Sequence, residues 1–473
     1  MKGKILKSAV FLSVFLALVN GVSRFILGRV FINTFWYHLS DAGVLIRSEN
    51  ILLFFFFLIG FFILGWGIKK ITSRITLIGL LGTALLSILC YPALYLPKSG
   101  NVPYQFQPFF PALKTIKLPQ EKKNLIFIFA ESLESTYQDT TVFGKNLIPK
   151  LSTWTENNVH FNHFVQLNGT EFTSAAYISM LCGLPLFVDL QTTFSQHPLC
   201  VPNILKANGY RMTFLKGAIL EFGRTHQTAQ YMEFDKSLGY TELLESQRIS
   251  PEEIGFKKWM LTMPPDRKLF QIAQEEIIDL ARQNAPFMIA ITTADTHFPM
   301  GYLDKACPRY TGDMQDVIQC TDDTLASFLT WVEQQPFYEN TLVVMVGDHL
   351  SMKSTIYDKL MSAKERGIYN VFIHAPKPPK TNRTFTSFDI GPTLLEMLGF
   401  NVPVLGYGKS LMQKSPTLIE EAPEAFEDFL ALGKPIKNQS GFYKGKKGLR
   451  HAQGVENLHR IRRKIGRHHR THP

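Results

Sequence analysis

The sequence predicts an α/β domain with a central, mostly parallel sheet, carried behind N-terminal transmembrane helices. Three observations predict it. Short uncharged apolar runs, Asn124–Ala130, Phe287–Thr292 and Thr341–Val346, alternate with amphipathic segments, the pattern of βαβ units. Each run ends in a polar cluster: Glu131-Ser132, Thr293–His297 and Gly347–His349. Ahead of them stand three apolar stretches long enough to cross about 30 Å of hydrocarbon.

Those stretches are Ala9–Leu27, Ile51–Ile68 and Ile75–Leu96. Two further spans follow the first, which argues against a cleaved signal peptide. Lys2, Lys4 and Lys7 precede the first span, and Lys69, Lys70 and Arg74 separate the second from the third. By the positive-inside rule both sets face the cytoplasm. Residues 1–96 then form a membrane domain, and everything after Pro97 lies on the far side, periplasmic or extracellular in a bacterium. Residues 97–122 carry Pro103, Pro108, Pro111 and Pro119 and read as a linker, with an interfacial stretch at Tyr104–Phe110.

Residues 123–433 are expected to form one soluble domain. Val371–His374 adds a fourth strand to the three runs, and Leu269–Gln283, Thr321–Gln334 and Phe388–Gly399 read as helices. Of the five cysteines, Cys182, Cys200, Cys307 and Cys320 fall in this part, and none belongs to a CxxC pair. In an exported domain they are expected to be disulfides, paired by proximity as Cys182–Cys200 and Cys307–Cys320.

The net charge of +11 belongs to the end of the chain. From Lys434 onward there are twelve Lys/Arg and one acid, Glu456; the preceding residues carry 38 of each sign. Residues 434–473 therefore read as a solvated basic tail rich in His, suited to an anionic membrane surface. The exported topology disfavours nucleic acid.

Asn168–Pro185 begins with small polar residues and continues into a helix-compatible run, Ala175–Leu181. A helix start presents unpaired N–H groups and positive potential, and so suits an anion. Thr173 there could be an ordinary cap, or a nucleophile towards a phosphoryl group. Glu131, Asp348 and His349 supply oxygen and imidazole ligands for a divalent metal, Mn2+ or Zn2+, at the carboxyl ends of strands, where open α/β sheets bind ligands. Thr173 would complete the sphere and be activated by it. His297 could hold a phosphate or protonate a leaving group. Taken singly, each residue has a bland reading as a cap or a solvated loop group.

Glu131-Ser132-Leu133, GTEFTSAAYISMLCGLPLF, TADTHFPMGY and VGDH together resemble the sulfatase-like branch of the alkaline phosphatase superfamily. The nearest likeness is to phosphoglycerol transferases of the periplasmic-glucan type and to lipoteichoic acid synthase. It extends through Cys200–Tyr210 and Phe214–Gly223 to Ser387–Gly399. The resemblance implies that Thr173 takes the phosphoryl group covalently, that Glu131, Thr173, Asp348 and His349 hold the metal, and that His297 contacts the substrate phosphate. Lys216 and Arg224 are added from their place in FLKGAILEFGR: they either meet an anionic headgroup or are solvated charges.

The activity implied is transfer of phosphoglycerol from phosphatidylglycerol to an envelope glycan or glycolipid acceptor, at the bacterial inner membrane. A phosphoethanolamine transferase, with phosphatidylethanolamine as donor, is the alternative. Sulfatase chemistry is disfavoured: Cys200-Val-Pro202-Asn-Ile204 has Ile where the formylglycine motif C/S-x-P-x-R needs Arg. A non-catalytic scaffold is disfavoured because every expected ligand is present.

Overall fold

A six-stranded sheet organises the domain, in the order β3-β2-β6-β1-β7-β8. The computed structural model describes residues 108–167, 169–185, 198–258 and 261–423. The three expected spans, the first part of the linker and the basic tail lie outside them. Among the described residues no helix is long and apolar enough to cross a membrane.

The strands are β1 (Asn124–Ala130), β2 (Arg211–Lys216), β3 (Lys236–Leu238), a separate hairpin of β4 (Phe256–Lys258) and β5 (Leu261–Met263), then β6 (Phe287–Thr292), β7 (Thr341–Gly347) and β8 (Asn370–Ile373). Five strands of the sheet run parallel, and β8 closes one edge antiparallel to β7. The main helices are α1 (Pro149–Asn157), α2 (Thr173–Cys182), α3 (Val201–Ala207), α4 (Asp266–Ala281), α5 (Met314–Glu333) and α6 (Ile390–Met397).

Central β1 is buried along its whole length, which is why its sequence does not alternate. Leu125, Phe127 and Phe129 enter one core with α2, α3 and α6; Ile126, Ile128 and Ala130 enter the other with α1, α4 and α5. Each such Leu, Ile or Phe contributes about 1.5–3 kcal/mol by leaving water.

Expectation and structure agree on β1 and β6 to the residue. The third run extends to Gly347, and the fourth strand is Asn370–Ile373. β2 and β3 complete the sheet without having been expected. Helix α5 starts at Met314 rather than Thr321 because Asp313 caps it, accepting from the N–H of Gln315. Both expected disulfides are present, Cys182–Cys200 joining α2 to α3 and Cys307–Cys320 joining a loop to α5. The later part of the linker is not a free tether. Phe109 exchanges backbone hydrogen bonds with Gly406 at 2.9 and 2.7 Å, and Asn401 N–H donates to Lys117 O at 3.2 Å.

Two glycines matter to the site. A Cβ on Gly347 would stand 2.0 Å from the carbonyl oxygen of Leu133, so only glycine lets the end of β7 approach the turn after β1. Gly183 ends α2 in the left-handed conformation (φ 65°), and a Cβ there would meet Leu405 O at 2.1 Å.

Candidate active site

The parallel strands deliver their carboxyl ends to one edge of the domain. Glu131 follows β1, Asp348 and His349 follow the adjacent β7, and the loop 293–297 follows β6 on the other side of β1. Helix α2 points its first residue at this edge. Tyr177 seats it, packing edge-on to Phe129 and Phe214 and donating to Thr292 Oγ1 at 3.0 Å.

Glu131, Asp348 and His349 are all buried, with ligand atoms within 4.8 Å of one another. His349 Nε2 lies 3.5 Å from Glu131 Oε1 and 3.5 Å from Asp348 Oδ2. Asp348 Oδ1 accepts from the N–H groups of Ser132 at 2.8 Å and His349 at 2.9 Å. Its Oδ2 is buried without a hydrogen-bond partner. His349 Nδ1 faces the Leu350 carbonyl at 3.0 Å, so Nδ1 carries a proton and Nε2 is the nitrogen turned to the two carboxylates, free to offer a lone pair when the ring is neutral. A lone pair, an orphaned carboxylate oxygen and a second buried carboxylate converge as ligands of a divalent cation do.

Thr173 is the first residue of α2, and the cap position is Phe172, with no side-chain cap. Its hydroxyl donates instead to Glu131 Oε2 at 3.1 Å. The capping alternative therefore fails, and the hydroxyl sits beside the cluster at the positive end of the helix.

The charges in this pocket are strongly coupled. Burial pushes the Glu131 carboxyl up, but His349 and His297, with the hydroxyls of Ser132 and Thr173, hold it below its usual value. Burial and then the charge of Glu131 raise Asp348 to about 7, against the pull of His349. Burial opposes charging of His349, yet Asp348 and Glu131 beside it raise its pKa.

His297 Nδ1 faces the carbonyl of Phe298 at 2.8 Å, and the ring is near enough to help hold the Glu131 carboxyl down. Lys216 ends β2, in register with Thr292 of β6. Only 6% exposed, it is not a solvated charge. Its ammonium donates to Thr225 Oγ1 at 2.8 Å and Phe222 O at 3.1 Å, and burial lowers its pKa to about 7 while Glu131 acts the other way. Arg224 is half-buried on that turn. The turn lies against α2, since a Cβ on Gly223 would meet Ser174 Oγ at 2.2 Å.

Several supporting groups were legible only as members of the strand-end clusters, without roles, or not at all. Ser132 Oγ donates to Glu131 Oε1 at 2.7 Å, Thr293 Oγ1 accepts from Glu131 N–H at 2.9 Å, and Thr296 Oγ1 donates to the Glu131 carbonyl. Buried Asp266 accepts from the N–H groups of Ala294 and Asp295 at 2.8 and 2.9 Å, which fixes the loop that bears His297. Ser132, Thr293 and Thr296 are marked by their place after β1 and β6, but nothing in the sequence shows which partner each takes, and nothing marks Asp266.

Glu134 and Arg366 pin the segment after His349. Glu134 accepts from Arg366 Nε at 3.0 Å and from Ser351 N–H at 2.8 Å, while Arg366 Nη2 donates to Ser351 O at 2.8 Å. Glu134 is fully buried, so removing its partner strands a charge. Arg366→Met is expected to cost roughly 3–5 kcal/mol. At about 2–4 °C per kcal/mol the melting temperature falls by about 10 °C. Replacing both residues costs less than replacing Arg366 alone, and thermal melts of the two variants check the order.

The sulfatase family model matches residues 123–400. Phosphoglycerol transferase I of Escherichia fergusonii is 28% identical over 309 residues, 62% of this chain and 39% of that protein. Phosphoglycerol transferase I of Escherichia coli O6:K15:H31 is 29% identical over 312 residues, with the same 62% and 39% coverage. The chain thus spans well under half the length of these curated relatives. Among solved structures, the lipoteichoic acid synthase LtaP from Listeria monocytogenes gives a TM-score of 0.52 at 16% identity, covering 70% of this chain and 96% of that one. A protein in the alkaline phosphatase superfamily from Vibrio parahaemolyticus gives 0.51 at 19% identity, covering 66% and 74%. These two share the α/β fold with its mostly parallel sheet. By the match over residues 123–400, the chain belongs to the sulfatase family.

Proposed function

We propose that this chain is a membrane-anchored transferase that moves phosphoglycerol from phosphatidylglycerol to an envelope glycan or glycolipid acceptor. The observation that carries the reading is the Thr173 hydroxyl, uncapped at the start of α2 and hydrogen-bonded to Glu131 within the buried Glu131–Asp348–His349 cluster. The relatives named phosphoglycerol transferase I support the choice of group transferred.

Glu131, Thr173, Asp348 and His349 would hold a divalent metal, manganese or zinc. Bound there, it supplies charge stabilisation at the phosphoryl group and lowers the pKa of the threonine hydroxyl. Thr173 Oγ bonds to phosphorus as the bond from phosphorus to the diacylglycerol oxygen breaks, and diacylglycerol leaves with a proton. An acceptor hydroxyl then attacks the same phosphorus and Thr173 leaves, restored. The start of α2 favours the phosphoryl anion through both steps. His297 contacts the phosphate or gives the leaving oxygen its proton. Arg224 meets the anionic headgroup. Lys216, whose ammonium binds the 222–225 turn, positions that turn.

Sulfatase chemistry has less support than the name of the family suggests. Cys200 is buried and disulfide-bonded to Cys182, out of reach of oxidation to formylglycine.

Intact-mass spectrometry of the full chain, incubated with mixed phospholipids and Mn2+ or Zn2+, tests the proposal. A phosphoglycerol adduct on Thr173 is expected. A phosphoethanolamine adduct would keep the mechanism and replace the donor. Turnover without any adduct on Thr173 would overturn the covalent route.

A further inference from the structure

Among the described residues six large apolar side chains stand exposed. Phe109, Leu113 and Leu118 belong to the linker segment. The others are Met300 (65% exposed), Tyr310 (72%) and Met361 (57%). The topology places all three at the carboxyl end of the parallel strands. Met300 is in the loop that follows β6, Tyr310 precedes α5, which returns to the start of β7, and Met361 lies between the carboxyl end of β7 and the start of β8. This is the end that carries Glu131, Thr173 and Asp348.

The three loops are tied together. Thr355 N–H donates to Pro299 O at 3.0 Å, and Met314 N–H donates to Thr355 Oγ1 at 3.1 Å. The Cys307–Cys320 disulfide fastens the Tyr310 loop to α5. Their exposed charges are unbalanced. Lys305 and Arg309 flank Tyr310, and Lys353, Lys359 and Lys364 flank Met361, against the exposed carboxylates of Asp358 and Glu365. Of the other acids on these loops, Asp304 and Asp316 are buried, and Asp313 is half-buried and engaged as a helix cap. Asp304 is 3.6 Å from Arg267, and Asp316 accepts from the N–H groups of Tyr310, Thr311 and Gly312.

A single exposed methionine means little. Three apolar tips on fastened loops, interspersed with excess cations and gathered at the end that holds the site, are what an anionic lipid surface accepts. We propose that this carboxyl-end rim docks on an anionic phospholipid bilayer, with Met300, Tyr310 and Met361 entering the headgroup region and the lysines and arginine meeting lipid phosphates. Docking there would hold the mouth of the site against its donor. The inference rests on the phospholipid-donor reading for the identity of the surface. A protein partner would also accept apolar tips, but the cation excess favours phosphate.

The test uses the full chain in vesicles with Cys90→Ala, which leaves an introduced thiol as the one that takes a label. A fluorophore on Met300→Cys should be quenched by acyl-brominated lipid when the vesicles contain phosphatidylglycerol. Quenching should weaken in pure phosphatidylcholine or at high salt. The same label on Glu339→Cys, exposed at the opposite end of the sheet, should stay bright. The Met300→Ser/Met361→Ser double variant should lose turnover of vesicle-borne phosphatidylglycerol about tenfold and keep turnover of a water-soluble short-chain phosphatidylglycerol. Absent quenching at position 300, or equal loss on both substrates, overturns the docking surface. If the unaltered chain turns over neither substrate, the donor reading fails, while the quenching still decides whether the rim meets lipid.

Discussion

Thr173→Ala is expected to abolish transfer while leaving the fold in place. The hydroxyl lies on the first turn of α2, 3.1 Å from Glu131 Oε2, and no cap depends on it. Its loss removes one hydrogen bond, worth about 1 kcal/mol. The melting temperature should therefore move by only a few degrees. Activity should fall by roughly 10^3-fold or more, because the atom that would take the phosphoryl group is gone. Thr173→Ser keeps that atom and gives up only the stiffness of a β-branched side chain. It should retain measurable turnover and still form the adduct. Release of diacylglycerol from phosphatidylglycerol, followed beside a thermal melt, checks both variants. Near-normal turnover in Thr173→Ala would move the nucleophile elsewhere and leave the cluster a metal site without its covalent partner.

What the sequence revealed follows from where each element is buried. β1, β6 and β7 are neighbours at the centre of the sheet, apolar on both faces, so each reads as an uninterrupted run. β2 is equally buried past its first residue, but it begins with Arg211 and ends with Lys216, and charged ends disguise a strand. Lys216 itself is disguised in the same way. A lysine in a glycine-flanked loop reads as solvated, and only the register with Thr292 puts it beneath the 222–225 turn. The direction of β8 carries no compositional signal, since antiparallel pairing is decided by the path of the chain.

The site divides the same way. Glu131, Asp348 and His349 were legible because each stands just past the carboxyl end of a recognisable strand, where topology concentrates ligands. The roles of Ser132, Thr293 and Thr296, which stand at the same strand ends, and the Glu134–Arg366 pair were not. Their importance lies in contacts between segments up to 232 residues apart, as for Glu134 and Arg366, and no local pattern encodes those. Gly347 belongs to the same class. Its need for glycine comes from the Leu133 carbonyl on a neighbouring strand end, not from its own turn.

Without a bound cation, the buried Asp348 carboxylate should weaken the fold, and Asp348→Asn should relieve that. Glu131 and Asp348 are buried side by side, and burial with the charge of Glu131 raises Asp348 to about 7. A carboxyl whose pKa is higher in the folded state weakens the fold as pH climbs. The cost is absent below the unfolded value near 4, grows between the two values, and is complete above the folded one. At about 1.4 kcal/mol per pKa unit, the metal-free chain at pH 8 should bear a cost on the order of 2–4 kcal/mol. The asparagine side chain keeps an oxygen to accept from the N–H groups of Ser132 and His349 and carries no charge. Without metal, Asp348→Asn should therefore melt higher than the unaltered chain at pH 8 and alike at pH 4. With Mn2+ or Zn2+ the order should reverse. The unaltered chain gains about 2.7 kcal/mol at a hundredfold excess over Kd, while the variant, lacking one anionic ligand, gains little. Melting curves at both pH values, with chelator and with metal, read out all four states. An unaltered chain indifferent to chelator, or a variant less stable than it at pH 8 without metal, would mean that the carboxylates are not held together for a cation.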